Sequence, residues 1–162
     1  MTKKTCCVTG HRDLSAEQME LLRPRLAAEA EQAAAAGFTC FLSGFAEGAD
    51  LLFAEIVAGM KRENPDLRLE AAIPYLGRYA RLMEQPETRA LLCACDAVAV
   101  LREAFAPDVF MARNRYMVDR SERVIAVYDG RAWGGTAATI RMAREQDREL
   151  RMTRPAGRQV RS

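Results

Sequence analysis

Short apolar runs recur along the chain, each followed by a stretch with helical spacing, and this alternation constrains the fold more than any other feature. Thr5-Cys6-Cys7-Val8-Thr9 stops at Gly10, Phe38 to Ser43 runs straight into Gly44, and Arg123 to Tyr128 ends at Asp129-Gly130. Runs bounded in this way read as strands buried on both faces. Leu67 to Ile73, closed by Pro74, adds another strand. Asp96 to Leu101 and a short segment near Leu150 to Thr153 complete the set. Between them lie the helices. Ser15 is placed to cap the first, Gln18 completes a capping box, Leu21, Leu22 and Leu26 form an apolar stripe, and Gly37 ends it. Pro24 falls inside that helix and is expected to kink it. LLFAEIVAGMKRE is helical until Asn64-Pro65-Asp66, the segment 77–95 holds helix interrupted by Pro86, and 108–121 reads as a partly exposed helix. Gly134-Gly135-Thr136 opens the last one.

Strands alternating with helices predict an α/β fold: a doubly wound, mostly parallel sheet with helices on both faces, of the Rossmann-like type. At 162 residues the chain suits one domain over 1–150, followed by the last short strand and an Arg-rich tail over 151–162. That tail carries Arg151, Arg154, Arg158 and Arg161 and is expected to be mobile.

The net charge is +2, and the four tail arginines leave −2 for the remainder. Such a body has no strong field for a nucleic acid, so nucleic-acid binding is not expected. No run approaches the roughly 20 apolar residues of a membrane span, and MTKKTCC lacks an apolar signal region. A cytoplasmic protein without a membrane partner is the expectation. The cysteines (Cys6, Cys7, Cys40, Cys93, Cys95) are odd in number and contain no C-x-x-C pair, which reads as reduced thiols. His11 is the lone histidine, so no recurring zinc-ligand spacing arises and no metal site is expected.

Three strand ends carry small or polar residues that a core would not select: Thr9-Gly10-His11-Arg12, then Ser43-Gly44-Phe45-Ala46-Glu47-Gly48 with Asp50, then Asp129-Gly130 with Gly134-Gly135-Thr136. In a parallel sheet these ends gather on one edge, where ligands bind. The second and third lead into helices, whose first amides are unpaired and attract anions. Ser43 or Thr136 can add a hydroxyl and Arg12 or Arg113 a counter-charge. Phe45 can plug the loop or stack on a base. Any one loop alone is explained by a tight strand-to-helix turn; their shared position points to a phosphate-bearing ligand. The first turn lacks G-x-G-x-x-G and no G-K-[ST] occurs, so neither the usual dinucleotide fingerprint nor a P-loop is present.

TCCVTGHR, FLSGFAEGADLLFAEI, RNRYMVDRSERVIAVYDG and GGTAATIRMA, in this order, resemble the YpsA-like branch of the SLOG superfamily over about residues 5–150. The resemblance implies a Rossmann-like fold that binds nucleotide-derived ligands, with Thr9 to Arg12, Ser43 to Gly48, Arg113 with Asn114, and Asp129 to Thr136 lining the pocket. Two related groups sharpen the expectation. Phosphoribohydrolases of the LOG type carry R-K-x-x-M and G-G-x-G-T-x-x-E blocks; here Arg113-Asn114-Arg115-Tyr116-Met117 keeps the Arg and Met, but Thr139 stands where the glutamate would be. DprA-like proteins share a loop similar to SGFAEGAD but rely on a basic surface for single strands.

The leading expectation is a module that binds or senses a small nucleotide or ADP-ribose-like ligand, with no further cofactor required. The alternative is a hydrolase of a nucleotide N-glycosidic bond, with Arg113 on phosphate and Asp50, Glu47 or Asp129 replacing the absent glutamate. A protein-interaction regulator without catalysis is the third reading, and a homo-oligomer is left open.

Overall fold

The computed structural model describes residues 4–155. Six strands and six helices follow one another as β1 (Lys4–Gly10), α1 (Ala16–Ala35), β2 (Phe38–Ser43), α2 (Ala49–Glu63), β3 (Arg68–Tyr75), α3 (Leu76–Glu84), α4 (Pro86–Ala94), β4 (Ala97–Arg102), α5 (Val109–Asp119), β5 (Arg123–Val127), α6 (Gly135–Glu145) and β6 (Glu149–Thr153). Every strand pair is parallel, in the order β4-β3-β2-β1-β5-β6. This is the doubly wound α/β arrangement that the alternation predicts.

Side-chain alternation along the central strands feeds two cores. Cys6 and Val8, Phe41, Ala71 and Ile73, and Ile125 point to the face covered by α1 to α4. Cys7, Leu42, Ala72 and Val124 point to the other face, against Met117 and Val118 of α5 and Met142 and Ala143 of α6. Since successive strand residues alternate sides, an apolar residue at every position is what a sheet covered twice requires.

The helix starts follow local chemistry. Ser15 Oγ accepts from the Gln18 amide at 3.0 Å while Gln18 Oε1 accepts from the Ser15 amide at 2.9 Å, the capping box expected of S-x-x-Q. α1 runs on through Pro24, which lies on its exposed side. Pro86 does not merely interrupt a helix: Gln85 ends α3 and caps α4, and proline occupies the first turn of α4, where no amide donor is needed.

Two expectations are corrected. β3 does not close at Pro74 but continues to Tyr75, paired with Arg102. β2 ends at Ser43 opposite Ala71, so Pro74 can turn its donor-less nitrogen to a side with no strand. The tail is not free from Arg151 onward. Arg151, within β6, pairs with Glu29 of α1 at 3.0 Å, and the Arg154 carbonyl accepts from Arg25. Arg158 and Arg161 lie outside the described residues. No helix among the described residues is long and apolar enough to cross a membrane.

Candidate ligand-binding cleft

β1 sits between β2 and β5, and the chain winds outward from it in both directions. The connections therefore leave to opposite faces and part at the carboxyl ends of β1 and β5, opening a crevice there. A cleft of about 530 Å³ occupies it, a volume suited to a small ligand. The end of β1 delivers Thr9 and Gly10 and the loop after it His11 and Arg12; the loop before α2 delivers Ala46 and the first turn of α2 Asp50; α5 delivers Arg113 and Asn114; the start of α6 delivers Gly134, Gly135 and Thr136. These eleven expected positions are brought together by the fold.

The two glycine loops, alike in sequence, differ in state. Ahead of α2, the Ala49 amide donates to the His11 carbonyl at 3.4 Å, the Leu51 amide to the Ala46 carbonyl at 3.2 Å, and the Ala46 amide to Asp50 Oδ2 at 3.3 Å. That helix start is largely closed from within. A Cβ on Gly48, whose φ is +86°, would stand 2.4 Å from the His11 carbonyl oxygen, so glycine there serves backbone packing. At α6 the Ala138 amide bonds the Gly134 carbonyl, and no side chain caps the turn. No bond among the described residues takes the Gly135 or Thr136 amide, both residues line the cleft, and a Cβ on Gly135 would meet nothing nearer than Asn114 Nδ2 at 3.7 Å.

Several expected ligand contacts are turned to structural use. Ser43 Oγ donates to the Asp50 carbonyl at 2.9 Å and accepts from the Phe45 amide, so its hydroxyl is not offered to a phosphate. Phe45 is wholly buried with φ +57° and plugs the loop, so it is no stacking platform. Gly44 gives Arg113 room: a Cβ there would lie 2.8 Å from Nη1. Glu47 faces a neighbouring pocket, and Gly130 lies beside Tyr128, Met152 and Thr153 instead of in the cleft. Asp129 turns to Arg131, with bonds from 2.5 to 3.1 Å.

The charges follow from burial and partners. Arg113 is buried, donating from Nη1 to the Gly44 carbonyl at 2.7 Å and from Nε to Asn114 Oδ1 at 2.9 Å. No bond to a described residue uses Nη2. Burial pushes the Asp50 carboxyl up to about 6, against the pull of Arg113. Arg131 holds Asp129 down at about 2. Burial lowers His11, so its ring is neutral near pH 7, and Nε2 accepts from the Asp129 amide at 3.2 Å. The 3.1 Å approach of the same nitrogen to Asp129 Oδ1 becomes an ion pair only when the ring is protonated.

Asp13, Phe110 and Met111 also line the cleft and escape the sequence reading, while Arg131 and Trp133 line it from within the stretch Asp129 to Thr136 that the resemblance implies. Phe110 was the most accessible to it, lying three and four residues before Arg113 and Asn114 on one helix face. Trp133, 70% exposed with the Arg131 guanidinium 5.2 Å from its ring, stands in a loop without periodicity to mark it.

Residues 6–154 match the YspA SLOG family (YpsA). The chain belongs to this family. UPF0398 proteins of Bacillus cereus strain B4264 and of Bacillus licheniformis are 27% identical over 103 residues and 26% over 102. Those matches take in 61% and 60% of this YpsA-family chain and 56% of each relative, so it spans little more than half their length. Among solved structures, DNA processing protein A from Helicobacter pylori, which binds single-stranded DNA, superimposes with a TM-score of 0.66 at 19% identity. That match covers 93% of this chain and 65% of the other. TM1055 superimposes with a TM-score of 0.57 at 16% identity, covering 91% of this chain and 72% of its own. At such identities the likeness concerns the fold.

Proposed function

We propose that the cleft binds a small nucleotide-derived ligand, with a phosphate on the open amides of Gly135 and Thr136. The carrying observation is the contrast between the two helix starts: the Ala49 and Leu51 amides of α2 are taken by the His11 and Ala46 carbonyls, whereas no bond among the described residues takes the Gly135 and Thr136 amides of α6, two residues that line the cleft with buried Arg113. Uncapped amides and the helix dipole favour an anion there. Arg113 Nη2 adds a charged donor, and the Thr136 hydroxyl, unbonded among the described residues, adds a neutral one. Trp133 at the rim supplies a face for a base.

Binding without turnover is the favoured reading. Thr139, in the place of the LOG-type glutamate, is buried and donates its hydroxyl to the Gly135 carbonyl at 2.8 Å. It shapes the phosphate loop and holds no charge for a ribosyl cation. Thermal-shift titration of wild type and Gly135→Asp with AMP, NAD and ADP-ribose tests the reading, because a ligand of the native state raises its melting temperature. A ligand-dependent rise in wild type, absent in Gly135→Asp, is expected. No rise in wild type would end the proposal.

A further inference from the structure

Beside the cleft lies a second pocket of about 190 Å³, lined by Arg12, Glu47, Tyr75, Arg78, Arg81 and Arg113 among others. Arg12, Ala46, Phe110 and Arg113 border both spaces, so the second is an annex of the first. Four guanidinium groups around so small a volume call for neutralisation, and the protein provides little. Arg12 stacks over the Phe110 ring, 5.2 Å from its centroid, and has no hydrogen bond or ion pair to a described residue. Arg81, from α3, is exposed and equally without one. Arg78 donates to the Phe45 carbonyl at 2.8 Å, a neutral partner, and Arg113 is committed to Gly44 and Asn114.

Several other arginines are paired: Arg23 with Glu55, Arg68 with Glu70, Arg102 with Asp108, Arg123 with Glu149, Arg131 with Asp129 and Asp13, and Arg151 with Glu29. None of the four annex arginines forms an ion pair among the described residues, and they share one small volume. Its nearby acids are Glu47, which forms no ion pair among the described residues, and Asp50, which lies buried in the cleft. Burial holds Arg78 below the usual guanidinium range against the attraction of Glu47, with Arg12 and Arg81 adding repulsion. Such a cluster costs free energy empty and regains it when an anion enters.

Resting on the nucleotide reading above, we propose that the annex holds a second phosphate of the same ligand. The ligand class is then a nucleotide with two phosphoryl groups, the first at Gly135 and Thr136 and the second among Arg12, Arg78 and Arg81. α3 thus takes part in recognition, although neither glycine loop belongs to it.

Titration calorimetry of the full chain at one moderate salt concentration decides this, with AMP against adenosine 3′,5′-bisphosphate and ADP-ribose. At least one doubly phosphorylated probe is expected to bind about tenfold or more tighter than AMP, the equivalent of about 1.4 kcal/mol. Arg81→Gln and Arg78→Gln/Arg81→Gln should abolish that gain and leave AMP affinity unchanged. Arg81→Gln removes no internal bond, so it separates recognition from folding even if the double variant is destabilised. AMP binding with no gain for either probe, or a gain that survives Arg81→Gln and the folded double variant, would overturn the annex and leave the cleft reading intact. No binding of any probe would overturn both. A ten-nucleotide single strand that binds wild type far more tightly than every small probe would overturn the small-ligand class in favour of consecutive backbone phosphates.

Discussion

Arg113 Nη1 reaches the Gly44 carbonyl at 2.7 Å, joining α5 on one face of the sheet to the loop after β2 across 69 residues of chain. The bond explains two residues at once. Gly44 must lack a side chain because the guanidinium fills that space, and Arg113 can be buried because a carbonyl and the Asn114 amide take two of its donor nitrogens. Arg113, given a phosphate contact through Nη2 in the proposed function, is therefore also a tie between the two helical layers.

Removing that tie should cost stability as well as binding. Arg113→Ala leaves the Gly44 carbonyl without this donor, and hydrogen bonds to a charged group contribute about 1.5–3 kcal/mol. A clear drop in melting temperature is expected without ligand, with loss of the AMP-induced rise. Arg113→Lys should recover part of the stability, since a single ammonium cannot serve both partners. An unchanged melting temperature in Arg113→Ala would contradict the tie.

The two glycines that open the helices should respond in opposite ways. Gly48→Ala places a Cβ against the His11 carbonyl at φ +86° and is expected to destabilise by about 2 kcal/mol or more. Gly135→Ala has room, and glycine to alanine at a helix start is close to neutral. Chemical denaturation of both variants separates packing from the phosphate role; equal losses would show that the two turns do not differ as described.

Asp50 gives stability a pH dependence of definite sign. Its folded pKa of about 6 lies above the ordinary carboxylate value of 3.8, so the group favours the folded state while protonated and costs stability as pH rises from 3.8 through 6. Asp50→Asn keeps an acceptor for the Ala46 amide but cannot ionise. It should raise stability above pH 6, by up to about 3 kcal/mol, with little effect below pH 4. Denaturation curves of both proteins from pH 4 to 7.5 supply the test, and a variant less stable at pH 7.5 would show that attraction to Arg113 outweighs burial.

Thiol chemistry should single out Cys93. It is exposed, whereas Cys6, Cys7 and Cys40 are buried and burial pushes Cys7 and Cys95 up to about 12. A thiolate-specific reagent such as Ellman's should modify Cys93 quickly in the native chain and the other cysteines only on unfolding. Fast modification of Cys7 would contradict the buried β1.

Incubation with AMP or ADP-ribose should release little or no free adenine, because Thr139 offers no carboxylate against the ribose. Clear turnover, lost in Arg113→Ala and in Asp50→Asn, would replace the binding reading with the hydrolase.

The sequence by itself determined the class of fold and the sheet edge on which the cleft opens. Apolar runs such as Cys6 to Val8 and Val124 to Val127 can be satisfied only between two helical layers, and a parallel sheet of that kind gathers its strand ends. Ser15 with Gln18, and Pro86 after Gln85, wrote their helix starts in local chemistry. Only the tertiary structure decided which polar residues face the cleft. Ser43, Gly44, Phe45 and Gly48 read as a phosphate loop, yet their hydroxyl, space, ring and backbone are taken up by Asp50, Arg113, the core and His11, with Asp50 7 residues from Ser43 and Arg113 69 from Gly44. Arg78 and Arg81 fall in the segment 77–95, which reads only as helix interrupted by Pro86. Their company with Arg12 and Arg113 comes from how α3 and α5 lie across the sheet ends, a relation between distant segments that no local spacing encodes.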